Sequence, residues 1–138
     1  MKPPEEAKGE LVRGWLAKAE ADFIVARRLV AEGAPYLDAV CFHAQQAAEK
    51  YLKAFLVQHQ VEFPKTHNLG ELLDLISRAD GHLAGSLSGV TALNPYGVDI
   101  RYPSDFPQVN EAEAEKAVGL ADAVRKAILT TLTQHLGD

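Results

Sequence analysis

The chain has 138 residues, 47% of them hydrophobic and 24% charged, with a formal net charge of −5 at pH 7. That length can bury a core without disulfide or metal staples, and the composition excludes disorder. With 19 acidic side chains against 14 basic ones, strong non-specific nucleic-acid binding is excluded, although a local basic patch remains open.

The opening decapeptide "MKPPEEAKGE" has no apolar stretch of the secretory type. No run approaches the roughly 18 to 20 apolar residues that span a bilayer. The expectation is a cytoplasmic protein with no membrane contact. Cys41 is the sole cysteine. An intrachain disulfide is impossible, and a small buried hydrophobe is its expected role.

A first helix is predicted over residues 5–32, with Leu11, Trp15, Ala19, Phe23, Ala26 and Val30 on one stripe. Glu5 and Glu6 suit its N-terminus, and Arg27 and Arg28 its last turns. Gly33 is the expected C-cap, and Pro35 blocks continuation. A second helix follows over 36–60, its apolar side carrying Val40, Ala44, Ala48, Tyr51, Leu52 and Phe55. Phe63-Pro64 breaks the helical pattern. Asn68 with Glu71 forms a capping-box pattern opening a shorter helix, which Asp80-Gly81 ends.

Residues 82–93 read as a poor helix, because Gly85 and Gly89 each cost up to about 1 kcal/mol against alanine. Residues 94–109 hold three prolines and a glycine and read as an ordered loop, tied down by Tyr96, Ile100, Tyr102 and Phe106. Asn110 with Glu113 caps a last helix reaching about His135, with Ala117, Ala121, Val124, Ile128 and Leu132 on one face. Sustained period-two alternation is absent, so no sheet is expected. The predicted architecture is all-α, an up-down bundle of four to five helices forming a single domain over residues 1–138.

One edge of the second helix carries polar residues at steps of three, four and three: His43, Gln46, Lys50 and Lys53. At about 100° per residue, with His43 at 0°, they fall near 300°, 340° and 280°, an arc of about 80°. Glu49 lies just beside the arc, four residues before Lys53, the favourable order for an exposed pair. Two ammonium groups next to an amide and an imidazole suit phosphate oxygens, and a histidine there can act as acid or base. The alternative is an ordinary solvated face, in which a Glu–Lys pair worth about 0.3–0.5 kcal/mol has no function.

The stretch "FHAQQAAEKYLKAFL" resembles the signature helix of the HEPN domain family, the nucleotide-binding α-helical domains of prokaryotes and eukaryotes. "KAEADFIVARRLV" is similar to the family's opening helix, His67 in "KTHNLGELL" to its histidine-leucine element, and "DIRYPS" to its Arg-Tyr-Pro element. The likeness runs in order along nearly the whole chain. It implies a helix bundle that forms a homo-oligomer, a dimer or higher. It also implies a nucleotide-binding or accessory module, paired with a minimal nucleotidyltransferase in a toxin–antitoxin-like system.

Transferred position by position, the implied nucleotide- or partner-binding residues are His43, Gln46, Lys50, Lys53, Arg101 and Tyr102. Glu49 is the implied structural residue, pairing Arg101 to fix the loop. Other members of the family are metal-independent ribonucleases, carrying an arginine followed after four to six residues by a histidine. That motif is not found: Arg78 and His82 are separated by only three residues, and Arg101 has no histidine in range. A ribonuclease acting on RNA through His43 and Arg101, and a purely structural oligomerisation domain, are the two alternatives. The five histidines show no close ligand pair, and no Gly-rich phosphate loop or nucleophile elbow is present. No metal or cofactor is expected.

Overall fold

Helix α1 opens at Pro4, where the missing N–H costs nothing, and runs to Glu32 with Glu5 and Glu6 in its first turn. In this computed structural model, which describes residues 4–97 and 109–136, Gly33 ends α1 at φ 74°. Its N–H donates to the Leu29 carbonyl, as expected of a left-handed cap. One detail of α1 differs from expectation. Leu11 is 59% exposed while Val12 is buried in its place, because the buried stripe of Val12, Ala19, Phe23 and Ala26 is rotated by one residue at its start.

Helix α2, Leu37–Gln58, is the centre of the fold. It packs along α1 on one side and α5 on another. Val40, Ala44, Ala48, Tyr51, Leu52 and Phe55 are all fully buried, as is Cys41. Alanines at 44, 47, 48 and 54 let both neighbours approach closely, and each large apolar side chain contributes about 1.5–3 kcal/mol of burial.

Helix α3, Leu69–Ala79, starts as predicted: the Asn68 side chain accepts from the backbone N–H of Gly70 and Glu71. Asp80 ends α3 and also caps α4, Gly81–Ser86, by accepting from the Leu83 N–H at 3.0 Å. The expected single poor helix over 82–93 is therefore two pieces, α4 and a 3-10 stretch over Ser88–Gly97. That stretch takes in Asn94–Gly97, which the prolines and glycine had suggested were loop. Tighter 3-10 turns accommodate Gly89 and Pro95 without a continuous α-helical ladder.

Helix α5, Glu111–Leu136, is capped by Asn110, whose side chain accepts from the Glu113 N–H at 2.8 Å. Its predicted seam of Ala117, Ala121, Val124, Ile128 and Leu132 is buried throughout. Among the described residues there is no strand. The fold is an all-α, up-down bundle, with five α-helices and one 3-10 segment among the described residues. Among the described residues, no helix is long and apolar enough to cross a membrane.

Candidate functional site

The tight turn between α1 and α2 makes them an antiparallel hairpin, so the polar edge of α2 faces α1. Asp22 of α1 is the residue it meets. Asp22 Oδ1 lies 2.9 Å from His43 Nδ1, and Asp22 Oδ2 accepts from Lys50 Nζ. The cluster is partly open, with His43 30% and Lys50 20% exposed. One carboxylate thus fixes two side chains that stand two turns apart on α2. With Nδ1–H directed at Asp22, His43 keeps Nε2 as an acceptor; this tautomer is assigned from the hydrogen bond. Lys50 gives one of its three N–H donors to Asp22 and keeps two.

Lys53 behaves differently from the exposed cation expected. It pairs with Glu49 at 3.0 Å, as the four-residue spacing predicts, but the pair is buried, at 7% and 3% exposure. The Lys53 ammonium sits 5.4 Å from the Trp15 ring centroid and 5.8 Å from that of Phe63. These two rings, packed edge to face 6.3 Å apart, cover it and attract it through their π-faces. Lys53 is therefore a core cation and offers no open charge.

Glu49 also lies 2.8 Å from His67 Nδ1 and accepts from Gln45 Nε2 at 3.3 Å. Gln45, fully buried, donates in turn to the His67 carbonyl at 3.1 Å and accepts from Gln46 Nε2 at 2.7 Å. Lys53, His67 and Gln45 are thus the partners of Glu49 among the described residues. The expected Glu49–Arg101 pair and the binding residues Arg101 and Tyr102 fall on residues 98–108, outside those described. Gly97, the last residue before them, lies against Gln45: a Cβ there would come within 2.9 Å of Gln45 Cδ. Tyr96 donates to Glu113 at 3.2 Å.

A second network, absent from the sequence reading, joins three helices. Arg125 of α5 donates to Glu20 of α1 through Nε at 2.7 Å and a terminal nitrogen at 3.3 Å. The Tyr51 hydroxyl of α2 donates to the same carboxylate at 2.5 Å, and Arg125 stacks 5.3 Å from the Phe23 centroid. Burial pushes the Glu20 carboxyl up, but the hydrogen bonds from Arg125 and Tyr51 and the Arg125 charge outweigh it and hold the group below its usual range. Burial, and then the Glu20 carboxylate, raise Tyr51 far above an ordinary phenol. Hydrogen bonding to Glu20 raises Arg125, against its own burial. The network is a charged clamp across the bundle.

Asp22 was missed as well. The available signal was register: in an antiparallel hairpin turning at residues 33–36, position 22 comes opposite the middle of the row at 43–50.

Among the described residues, no three His, Cys, Asp or Glu side chains gather as metal ligands. The site that remains is the Asp22–His43–Lys50 cluster, with Gln46 beside it.

Comparison with known proteins bears on the fold and the family. A crystal structure of TT1696 from Thermus thermophilus superimposes with a TM-score of 0.70 at 26% identity, covering 86% of this chain and 96% of that one. ST0689, described as an archaeal HEPN homologue, superimposes with a TM-score of 0.65 at 21% identity, covering 87% and 96%. No curated protein matches the chain. The HEPN domain family matches residues 12–131, and the chain belongs to that family.

Proposed function

We propose that the chain is a non-catalytic HEPN module, which binds the phosphate of a nucleotide, free or held by a nucleotidyltransferase partner, at the α1–α2 seam. The observation that carries this reading is the sharing of Asp22 by His43 and Lys50, which holds an imidazole and an ammonium at fixed spacing on a partly open surface. Two remaining Lys50 donors and the Gln46 N–H not used by Gln45 form a preorganised set for phosphoryl oxygens, which His43 joins through Nε2–H when its imidazole is protonated. Asp22 offsets one positive charge, so the set favours weak, geometry-dependent binding over broad attraction of polyanions, in keeping with the acidic chain. Arg101 and Tyr102 belong to this reading only as the loop residues that the family resemblance implies. Lys53 does not, since it is sealed beneath Trp15 and Phe63.

The partner class, the homo-oligomeric state and the toxin–antitoxin-like setting come from the family resemblance. Isothermal titration with a nucleotide panel, and with a minimal nucleotidyltransferase, tests the reading. A His43→Ala/Lys50→Ala protein is expected to lose at least about tenfold in affinity while remaining folded. Equal binding by the variant sinks the site assignment.

One observation favours an enzymatic alternative. Asp22 orients His43 as a carboxylate orients a general base, with Lys50 nearby to stabilise a developing phosphorane charge. That reading predicts RNA cleavage that survives EDTA and is lost in His43→Ala or Arg101→Ala. Intact RNA after prolonged incubation with the purified protein rules it out.

A further inference from the structure

Four residues of α1 stand in line on the flank that meets the polar edge of α2: Leu11, Trp15, Lys18 and Asp22, at steps of four, three and four. At about 100° per residue, with Asp22 at 0°, the first three fall near 340°, 20° and 320°, an arc of about 60°. One end of the line is the carboxylate that holds His43 and Lys50. At the other end the surface is hollowed: Leu11, Gly14, Trp15 and Lys18, with Glu10, line a cavity of about 260 Å³. Lys53 and Phe63, which lie against the Trp15 ring, are not among its walls, so the half-buried indole turns a further surface to the hollow. Gly14 leaves the space: a Cβ there would meet nothing within 4 Å. An indole and an aliphatic side chain beside an exposed lysine make a wall for a flat ring, as aromatic side chains do for nucleobases. The volume is just under the roughly 300 Å³ at which small-molecule sites begin. It is room for a ring and not for a whole nucleotide.

We infer that this hollow is a base subsite, joined along α1 to the phosphate-binding cluster, and that the ligand is a nucleoside polyphosphate. Asp22 lies seven residues from Trp15, about 10 Å along the helix axis. That is beyond the reach from a base to its own first phosphate, and it suits the terminal phosphate of an extended triphosphate chain. Lys18 stands between the two ends, exposed, about one turn from each. It meets the ligand where the ribose and inner phosphates pass, and its ammonium restores the positive charge that Asp22 offsets at Lys50. Trp15 and Leu11 hold the ring, and His43 and Lys50 hold the far phosphate.

The inference deepens the phosphate-binding function proposed above and rests on it; nucleotide and bare polyphosphate test the two separately. Trp15 is the only tryptophan of the chain, so its fluorescence, excited at the red edge of the indole band, reports the hollow. ATP or GTP is expected to change that fluorescence and to saturate it together with the heat of binding. Inorganic tripolyphosphate is expected to bind about tenfold more weakly and to leave the fluorescence unmoved, and AMP and GMP to bind at least about tenfold more weakly than the triphosphates. Gly14→Leu fills the hollow at an exposed helical position where the new side chain meets open space, so the fold is retained. It is expected to bring the nucleoside triphosphates down to the affinity of tripolyphosphate, whose own binding it leaves unchanged. A Gly14→Leu protein that binds nucleoside triphosphate as wild type does, or that weakens tripolyphosphate equally, overturns the base subsite and leaves phosphate binding at His43 and Lys50 standing. Fluorescence that follows protein concentration and not nucleotide also overturns it, and gives the hollow to a second protein. Failure of every ligand to bind, with or without a minimal nucleotidyltransferase present, overturns both.

Discussion

Asp22 Oδ1 lies 2.9 Å from His43 Nδ1, and the other oxygen of the same carboxylate holds Lys50. A residue on α1 thus sets the geometry of the candidate site on α2. Asp22→Ala is expected to destabilise the protein by about 1–3 kcal/mol, since it leaves Lys50 without its counter-charge in a partly buried seam. A double-mutant cycle with Lys50→Ala, read by urea denaturation, should give a coupling of about 1–2 kcal/mol. Simple additivity would mean that the two side chains do not depend on each other.

Lys53 makes the opposite prediction about function and stability. Lys53→Met strips a buried carboxylate of its cation and should cost about 2–4 kcal/mol, Gln45 and His67 limiting the loss. Glu49→Gln added to Lys53→Met should recover part of it, because the buried charge is then gone. Denaturation midpoints of the three variants check this. Ligand affinity of folded Lys53→Met should match wild type; a specific loss of binding would return Lys53 to the site.

The clamp of Glu20, Tyr51 and Arg125 makes stability depend on pH at both extremes. The folded Glu20 carboxyl is held below its usual range, so its contribution is present above the unfolded value of 4.5 and is lost as pH falls through the folded value. Tyr51 is raised in the folded state. Its contribution is complete below the unfolded value of 10.0 and declines as pH rises beyond it, where the unfolded chain ionises first. Thermal melts of wild type, Glu20→Gln and Tyr51→Phe across pH should show the acid slope reduced in the first and the alkaline slope reduced in both. Identical slopes would show that the clamp contributes nothing.

Gly97 is predicted to resist substitution although its backbone is ordinary. A Cβ would press on Gln45, a buried amide that also bonds Glu49, Gln46 and the His67 carbonyl. Gly97→Ala should therefore cost about 1–3 kcal/mol by displacing a fully engaged side chain. Gly85 has open space around it, and Gly85→Ala inside α4 should be neutral or stabilising.

The helices were largely legible because their signals are local. The Asn68 and Asn110 caps, the Gly33 stop and the α5 seam from Ala117 to Leu132 all formed as their spacing predicts. The 3-10 stretch through Pro95 was less so, since glycine and proline mark an interruption without stating which tighter turn follows. At the site, the angular grouping of His43, Gln46, Lys50 and Lys53 was readable. Its division was not, because that depends on what α1 places opposite each position. Asp22 meets His43 and Lys50, whereas Trp15 meets Lys53. One helix wheel cannot distinguish a cation facing a carboxylate from a cation roofed by an indole.

The most direct test of the account is a nuclear magnetic resonance titration of the labelled protein with a nucleoside triphosphate, observing lysine and histidine side-chain signals. The account predicts that the His43 and Lys50 resonances move together and saturate at one ligand concentration. Those of Lys53, sealed in the core, and of Lys126, exposed beside Asp122, should stay in place. Shifts spread evenly over the exposed lysines, or saturation at a set of residues that excludes His43 and Lys50, would contradict it.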